Sequence, residues 1–110
     1  MEEFVRGDVA VVPFPFSDLS SVKKRPALVL FVLSDDDIVL CQVTSKDKGD
    51  KLAIELGIDD FLEGGLTRVS YIRPGRIFTA EKSIIQYKAG SIKKKKSDQV
   101  KDLIVSLLDG

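Results

Sequence analysis

The sequence predicts a mainly β domain: a small, strongly curved, partly open barrel of roughly five or six short strands with one C-terminal helix. Three observations carry this. Gly7–Leu33 holds two apolar runs rich in β-branched residues, Val9–Val12 and Pro26–Leu33, on either side of a polar segment. A third run, Ile38–Thr44, follows across Ser34-Asp35-Asp36-Asp37, which reads as a hairpin turn. Near the C-terminus, Val100, Leu103, Ile104, Leu107 and Leu108 recur at helical spacing and form one apolar stripe. No helical pattern separates the first strands, so a βαβ architecture has no support.

In chain order, Phe4–Arg6 lead into Gly7-Asp8, a turn signal. Val9–Val12 is the first strand. Pro13 and Pro15 lack backbone donors and are expected to end its regular pairing, with Phe14 and Phe16 capping the core. Ser17–Lys24 reads as a polar loop longer than most hairpin connections. Pro26–Leu33 is apolar at every position, so both its faces are expected to be buried, as in a central strand. The aspartates of the 34–37 turn are expected to accept local backbone bonds. Without the spacing of a calcium loop they read as a solvated turn, not a metal site. Leu52–Leu56 reads as a strand, Gly57–Gly65 as a turn-rich connection and Leu66–Ile72 as another strand. Arg73-Pro74-Gly75 then reads as a turn and Arg76–Thr79 as a short strand. Ala80–Tyr87 fits either a helical start or one more short strand, and Ala89-Gly90-Ser91 reads as a break. Lys93–Lys96 reads as a solvated connector, with nucleic-acid contact as the alternative. Ser97 reads as the N-cap of the final helix, with Asp98 in its first turn and Gly110 at its end. Packing against the sheet is the default use of the helix stripe, and a dimer contact the alternative.

The 110 residues suit a single domain, 1–110, long enough to bury its own core. Lys and Arg number 17, as do Asp and Glu, so the formal charge is zero and any nucleic-acid contact must come from a local basic patch. The single Cys41 cannot form an intramolecular disulfide, and its apolar run marks it as a small buried hydrophobe. With one Cys and no His, a zinc site lacks its ligands, and His-based triads and His-pair ribonuclease chemistry are excluded. No signal peptide is visible and no apolar run approaches ~18 residues, so the expected location is cytoplasmic, with no membrane contact.

The hairpin allows a geometric inference. Pro26 restricts Arg25 to an extended backbone at the mouth of the second strand. If residues 33 and 38 face each other, Ala27 opposes Thr44 and Arg25 opposes Lys46. Period-2 alternation then puts Arg25, Ala27, Thr44 and Lys46 on one side. Arg25 and Thr44 become a diagonal pair, within ~7–8 Å between backbones. A one-residue bulge would flip every side chain beyond it.

Three blocks resemble the PemK/MazF family of toxins. The first is Gly7-Asp8-Val9, then Val12-Pro13-Phe14-Pro15-Phe16, then Lys24-Arg25-Pro26-Ala27-Leu28-Val29-Leu30. The second is Cys41-Gln42-Val43-Thr44-Ser45. The third runs from Gly65-Leu66 through Ser70-Tyr71-Ile72-Arg73 to Phe78-Thr79-Ala80-Glu81-Lys82. The resemblance implies an SH3-like barrel of roughly five to seven strands with a C-terminal helix, usually a homodimer. It also implies a metal-independent, cofactor-free endoribonuclease that cleaves single-stranded RNA, including mRNA, at short sequences and is inhibited by a cognate antitoxin. On this resemblance Arg25 matches the catalytic arginine and Thr44 the threonine, and Lys24, Ser45, Lys46 and Arg73 are candidate RNA contacts. Attack by a ribose 2′-OH on the adjacent phosphate builds negative charge that a planar guanidinium clamps and a hydroxyl donates to.

The third block departs from the family pattern. Gly75-Arg76 and Phe78-Thr79 stand where many members carry Asp-Gln and Arg-Thr, so Gly75 offers Arg73 no acidic partner. A catalytically silent barrel that binds RNA or a partner protein is the alternative reading.

Overall fold

The unbroken apolar run after Pro26 becomes the middle of one sheet. The computed structural model describes residues 3–15 and 22–110. Its strands are β1 (Asp8–Pro15), β2 (Val22–Val32), β3 (Asp37–Thr44), β4 (Ile54–Leu56), β5 (Phe61–Gly64), β6 (Ser70–Glu81) and β7 (Tyr87–Ile92). They form one sheet in the order β4-β6-β3-β2-β1-β7-β5, antiparallel at every pair. The sheet curls into a half-barrel, and a single helix, α1 (Lys94–Asp109), follows.

Period-2 alternation sorts the central strands into two buried clusters. Val9, Leu28, Cys41 and Val43 enter the first, with Val100 of α1. Ala10, Val12, Ala27, Val29 and Leu40 enter the second. Both faces of β2 are therefore buried, as its composition predicts, but only as far as Leu30. Phe31, Val32 and Leu33 are 50%, 47% and 60% exposed, so the outer end of the run leaves the core.

Several boundaries differ from the sequence-based expectation, each for a physical reason. β1 does not end at Pro13; it pairs through Pro15, opposite Lys24, Lys23 and Val22. Pro13 and Pro15 lie two apart and so occupy the same kind of ladder position, where a missing donor costs no bond to that neighbour. Of the expected Ser17–Lys24 loop, 22–24 belong to β2 and the rest lies outside the described residues. The expected capping by Phe14 and Phe16 concerns side chains that also lie outside them. In the 34–37 turn Ser34 Oγ accepts from Asp37 N–H at 3.2 Å and Asp36 N–H at 3.4 Å, and Asp37 accepts through its backbone carbonyl, from Leu33 N–H at 2.9 Å and Ser34 N–H at 3.2 Å.

Arg73-Pro74-Gly75 is not a turn between two strands. β6 runs continuously through it, and the register against β3 jumps from Cys41 opposite Ile77 to Gln42 opposite Arg73. Pro74, Gly75 and Arg76 are thus extra residues in one strand, a large bulge that re-aims its side chains. Residues 66–69 precede β6 as a loop, and β4 holds only Ile54–Leu56 of the expected 52–56 strand. The turn-rich 57–65 segment contains a 3₁₀ turn and the edge strand β5. Lys82–Ile84 is another 3₁₀ turn. Gly90 does not break the chain but lies inside β7. A Cβ there would stand 2.5 Å from Glu63 O and 2.9 Å from Gly65 N, so only glycine allows β5 this close.

Helix α1 starts earlier than Ser97 implies. Lys93 is the N-cap residue, Ser97 lies buried within the helix, and Asp98 comes after the first turn. The lysine run is therefore not a simple connector. Lys94 Nζ bonds Asp98 Oδ2 at 2.7 Å, and Lys96 Nζ donates to Glu55 O at 3.0 Å and lies 3.6 Å from Asp60 Oδ2. Of the apolar stripe, Val100, Leu103 and Ile104 pack on the first cluster, while Leu107 and Leu108 remain exposed.

Candidate active site

The β2–β3 register decides what faces Arg25. Val32, not Leu33, pairs with Ile38, and Leu30 bulges out between the Phe31 and Val29 pairs. Ala27 consequently opposes Gln42 rather than Thr44. The two one-residue differences cancel in parity, so Arg25, Ala27 and Thr44 stay on one face. Carried two residues further, the observed register sets Arg25 across from Thr44, where Lys46 was expected. The bulge thus brings the expected pair closer together instead of separating it.

Two cavities meet at Arg25. The smaller, about 340 Å³, is lined by Lys24, Arg25, Thr44, Ser45, Arg68 and Ser70, among others. The larger, about 510 Å³, is lined by Arg25, Gln42, Lys48, Arg73 and Arg76. Among the described residues no carboxylate lines either cavity, and four cations line the larger. A chain of zero net charge thereby carries the local basic patch that RNA contact requires.

Thr44 is 2% exposed at the wall of the smaller cavity. Its Oγ1 accepts the Lys46 N–H at 3.2 Å, which uses a lone pair and keeps the hydroxyl proton available for donation. The Lys46 backbone thus anchors Thr44, while its side chain is exposed and is not among the described residues lining the two cavities. Lys24 and Ser45 are exposed at the rim of the smaller cavity.

Arg73 lies opposite Gln42, and its guanidinium is held at two points. Nε donates to Asp50 Oδ2 at 3.0 Å, and Nη1 donates to Gln42 Oε1 at 3.1 Å. The acidic partner missing at Gly75 is thus supplied by Asp50, from the segment before β4. Asp50 is itself fixed: Oδ1 accepts the Leu52 N–H at 2.9 Å, and its carbonyl accepts the Ala53 N–H at 3.1 Å. The Arg73 hydrogen bond, followed by the Leu52 N–H, holds the Asp50 carboxyl below its usual range.

The structure brings Arg25, Thr44, Lys24 and Ser45 to one cavity and Arg73 to its neighbour. Sequence reasoning missed Gln42, Lys48, Asp50, Arg68 and Arg76. Gln42 carried a usable signal, since it stands two residues before Thr44 and so shares its face. The other four are brought in by loops and by the β6 bulge, which leave no local periodicity. Among the described residues, no three of Cys, Asp and Glu gather so as to hold a metal ion.

A family model described as the PemK-like, MazF-like toxin of type II toxin-antitoxin systems matches residues 5–108. The chain belongs to this family. Its members are endoribonucleases. No curated protein sequence matches the toxin. Its fold resembles a mycobacterial endoribonuclease solved in complex with its cognate antitoxin, with a TM-score of 0.73 and 16% identity over 99% of this chain and 96% of that one. A second mycobacterial endoribonuclease gives 0.70 at 18% identity, covering 99% and 94%. The Mycobacterium tuberculosis toxin MazF-mt6 gives 0.69 at 12% identity, covering 93% and 96%. At such identities these likenesses describe the fold.

Proposed function

We propose that this toxin is a metal-independent endoribonuclease that cuts single-stranded RNA in the cytoplasm, with Arg25 and Thr44 as its catalytic residues. The observation that carries the reading is the meeting of both residues at one cavity, beside a second cavity lined by four cations. In the reaction the ribose 2′-oxygen bonds to phosphorus, the bond to the 5′-oxygen breaks, and charge builds on the non-bridging oxygens. Arg25 clamps those oxygens with its planar fork, and the Thr44 hydroxyl donates to the same charge. The chain contains no His, so the proton acceptor is not an imidazole. Lys24, Ser45 and Arg73 hold the flanking strand, Lys24 and Ser45 at the rim of the first cavity and Arg73 in the second. Lys46 serves chiefly as the anchor of Thr44.

Two partners follow from the same reading. A cognate antitoxin is one, since the family is that of type II toxin-antitoxin systems. A second copy of the chain is the other. It has a suitable surface in the apolar groove of about 380 Å³ between α1 and the outer ends of β2, β3 and β6. Phe31, Ile77 and Leu108 line that groove and are 50%, 48% and 82% exposed, more apolar surface than a lone barrel gains from showing to water. Light scattering of the parent and of Leu108→Glu tests the dimer: a dimer that the substitution breaks is expected, and a monomeric parent removes it.

The function is tested by incubating the protein with a long single-stranded RNA in EDTA beside an Arg25→Ala control. Cuts at a short recurring sequence, lost in the control, are expected. A folded parent that makes no cuts but binds RNA returns the chain to the silent-module reading.

A further inference from the structure

We propose that Asp50 is a positioning residue for RNA recognition: it aims the Arg73 guanidinium into the larger cavity, which receives a phosphate of the strand beside the one cut. The inference rests on the ribonuclease reading and adds to it a residue that never touches the reacting atoms.

The geometry supports aiming over simple charge neutralisation. Arg73 and Asp50 are 12% and 16% exposed, so the pair is largely withdrawn from water and held in one arrangement. Gln42 grips the guanidinium at a second nitrogen, and two such contacts leave an arginine little rotational freedom. These contacts use two of its five N–H donors, and the same guanidinium lines the cavity with Arg25, Lys48 and Arg76. Asp50 is not among the lining residues, so it acts behind Arg73. Its own position is set by the Leu52 and Ala53 N–H groups. A cavity whose described lining is several cations and an amide, with no carboxylate among them, matches a phosphodiester better than a base edge or an apolar group.

The proposal makes a prediction opposite in sign to ordinary electrostatics. If Asp50 were a bystander, removing its negative charge beside the RNA path would tighten RNA binding. If it positions Arg73, removal weakens binding. Asp50→Asn is the appropriate change, because the Leu52 N–H and Arg73 Nε meet different oxygens of Asp50, and Asn puts a donor NH2 in the place of one of them.

The probe is a short single-stranded RNA with 2′-O-methyl riboses, which lacks the attacking hydroxyl and so reports binding alone. It is titrated against the parent, Asp50→Asn, Arg73→Ala and the double variant. Thermal melts check folding. Asp50→Asn is expected to weaken binding roughly tenfold, as for one charge-assisted hydrogen bond. Arg73→Ala is expected to weaken it at least as much and to lower the salt slope by about 0.7, one phosphate contact on a single strand. The double variant is expected to bind no more weakly than Arg73→Ala. On unmodified RNA, Asp50→Asn is expected to raise KM with little change in kcat.

Tighter or unchanged binding by Asp50→Asn, or additive losses in the double variant, overturns the positioning role while cleavage by the parent leaves the ribonuclease reading intact. A folded parent that neither binds nor cuts RNA overturns both. If Asp50→Asn does not fold, Gln42→Met removes the second grip. An equal loss of affinity in the Arg73→Ala background would then overturn the proposal.

Discussion

Asp50 Oδ2 lies 3.0 Å from Arg73 Nε, although the two residues stand 23 positions apart in the chain. The contact joins the segment before β4 to the bulged centre of β6, and it aligns the cation-lined cavity beside Arg25. It also gives the toxin a stability term with a defined pH dependence. The Asp50 carboxyl titrates below its ordinary value in the folded state, chiefly through the Arg73 bond. Such a group contributes stability above its unfolded pKa of about 3.9 and loses it as pH falls through the lowered folded value. Melting midpoints of the parent and Asp50→Asn are expected to differ near pH 7 and to draw together as pH falls through the lowered folded value, where a protonated Asp resembles Asn. A gap of equal size above and below that value would contradict the assignment.

Arg25→Lys tests the fork rather than the charge. An ammonium keeps the positive charge but cannot grip two phosphate oxygens in a plane. Cleavage is expected to fall by well over about tenfold with the melting midpoint unchanged. A rate within about twofold of the parent would remove bidentate clamping from the mechanism.

Gly90 carries the contact between β7 and the edge strand β5. A methyl group there meets the Glu63 carbonyl and Gly65 amide, both backbone atoms that cannot turn aside. Gly90→Ala is expected to cost about 1–3 kcal/mol in urea unfolding. Gly75→Ala is the control: its Cβ would rest 3.6 Å from Leu52 Cδ1, an ordinary contact, and the change is expected to stay within about 0.5 kcal/mol. Equal effects at the two positions would refute the close-approach argument.

Cys41 is fully buried on β3, and burial pushes its thiol up to about 12. The thiolate is the reactive form, so native protein is expected to resist iodoacetamide near pH 8 and to react once unfolded in guanidinium. Rapid labelling of the native protein would place Cys41 nearer the surface than the fold allows.

The central strands were legible because their signal is local. Continuous apolarity from Pro26 marked β2 as the middle strand, and the apolar runs Val9–Val12 and Ile38–Thr44 marked β1 and β3 beside it. The same period-2 logic put Arg25 and Thr44 on one side, and it survived because the turn offset and the Leu30 bulge cancelled. The stripe of α1 was equally plain, since a 3.6-residue period needs no partner to be seen. The two edge strands differed in this: β4 alternates buried and exposed and falls within the expected 52–56 strand, whereas β5 buries little of itself, so nothing in 61–64 had to alternate.

The second cavity escaped for a different reason. Arg73 and Arg76 share it because three residues bulge within β6, and Asp50 reaches Arg73 because curling the sheet folds the 45–53 segment over that bulge. Residue type and spacing along the chain determine which faces turn inward. They carry no record of which distant carboxylate will meet which arginine, because that choice is made only when the sheet curls and buried charges must find partners.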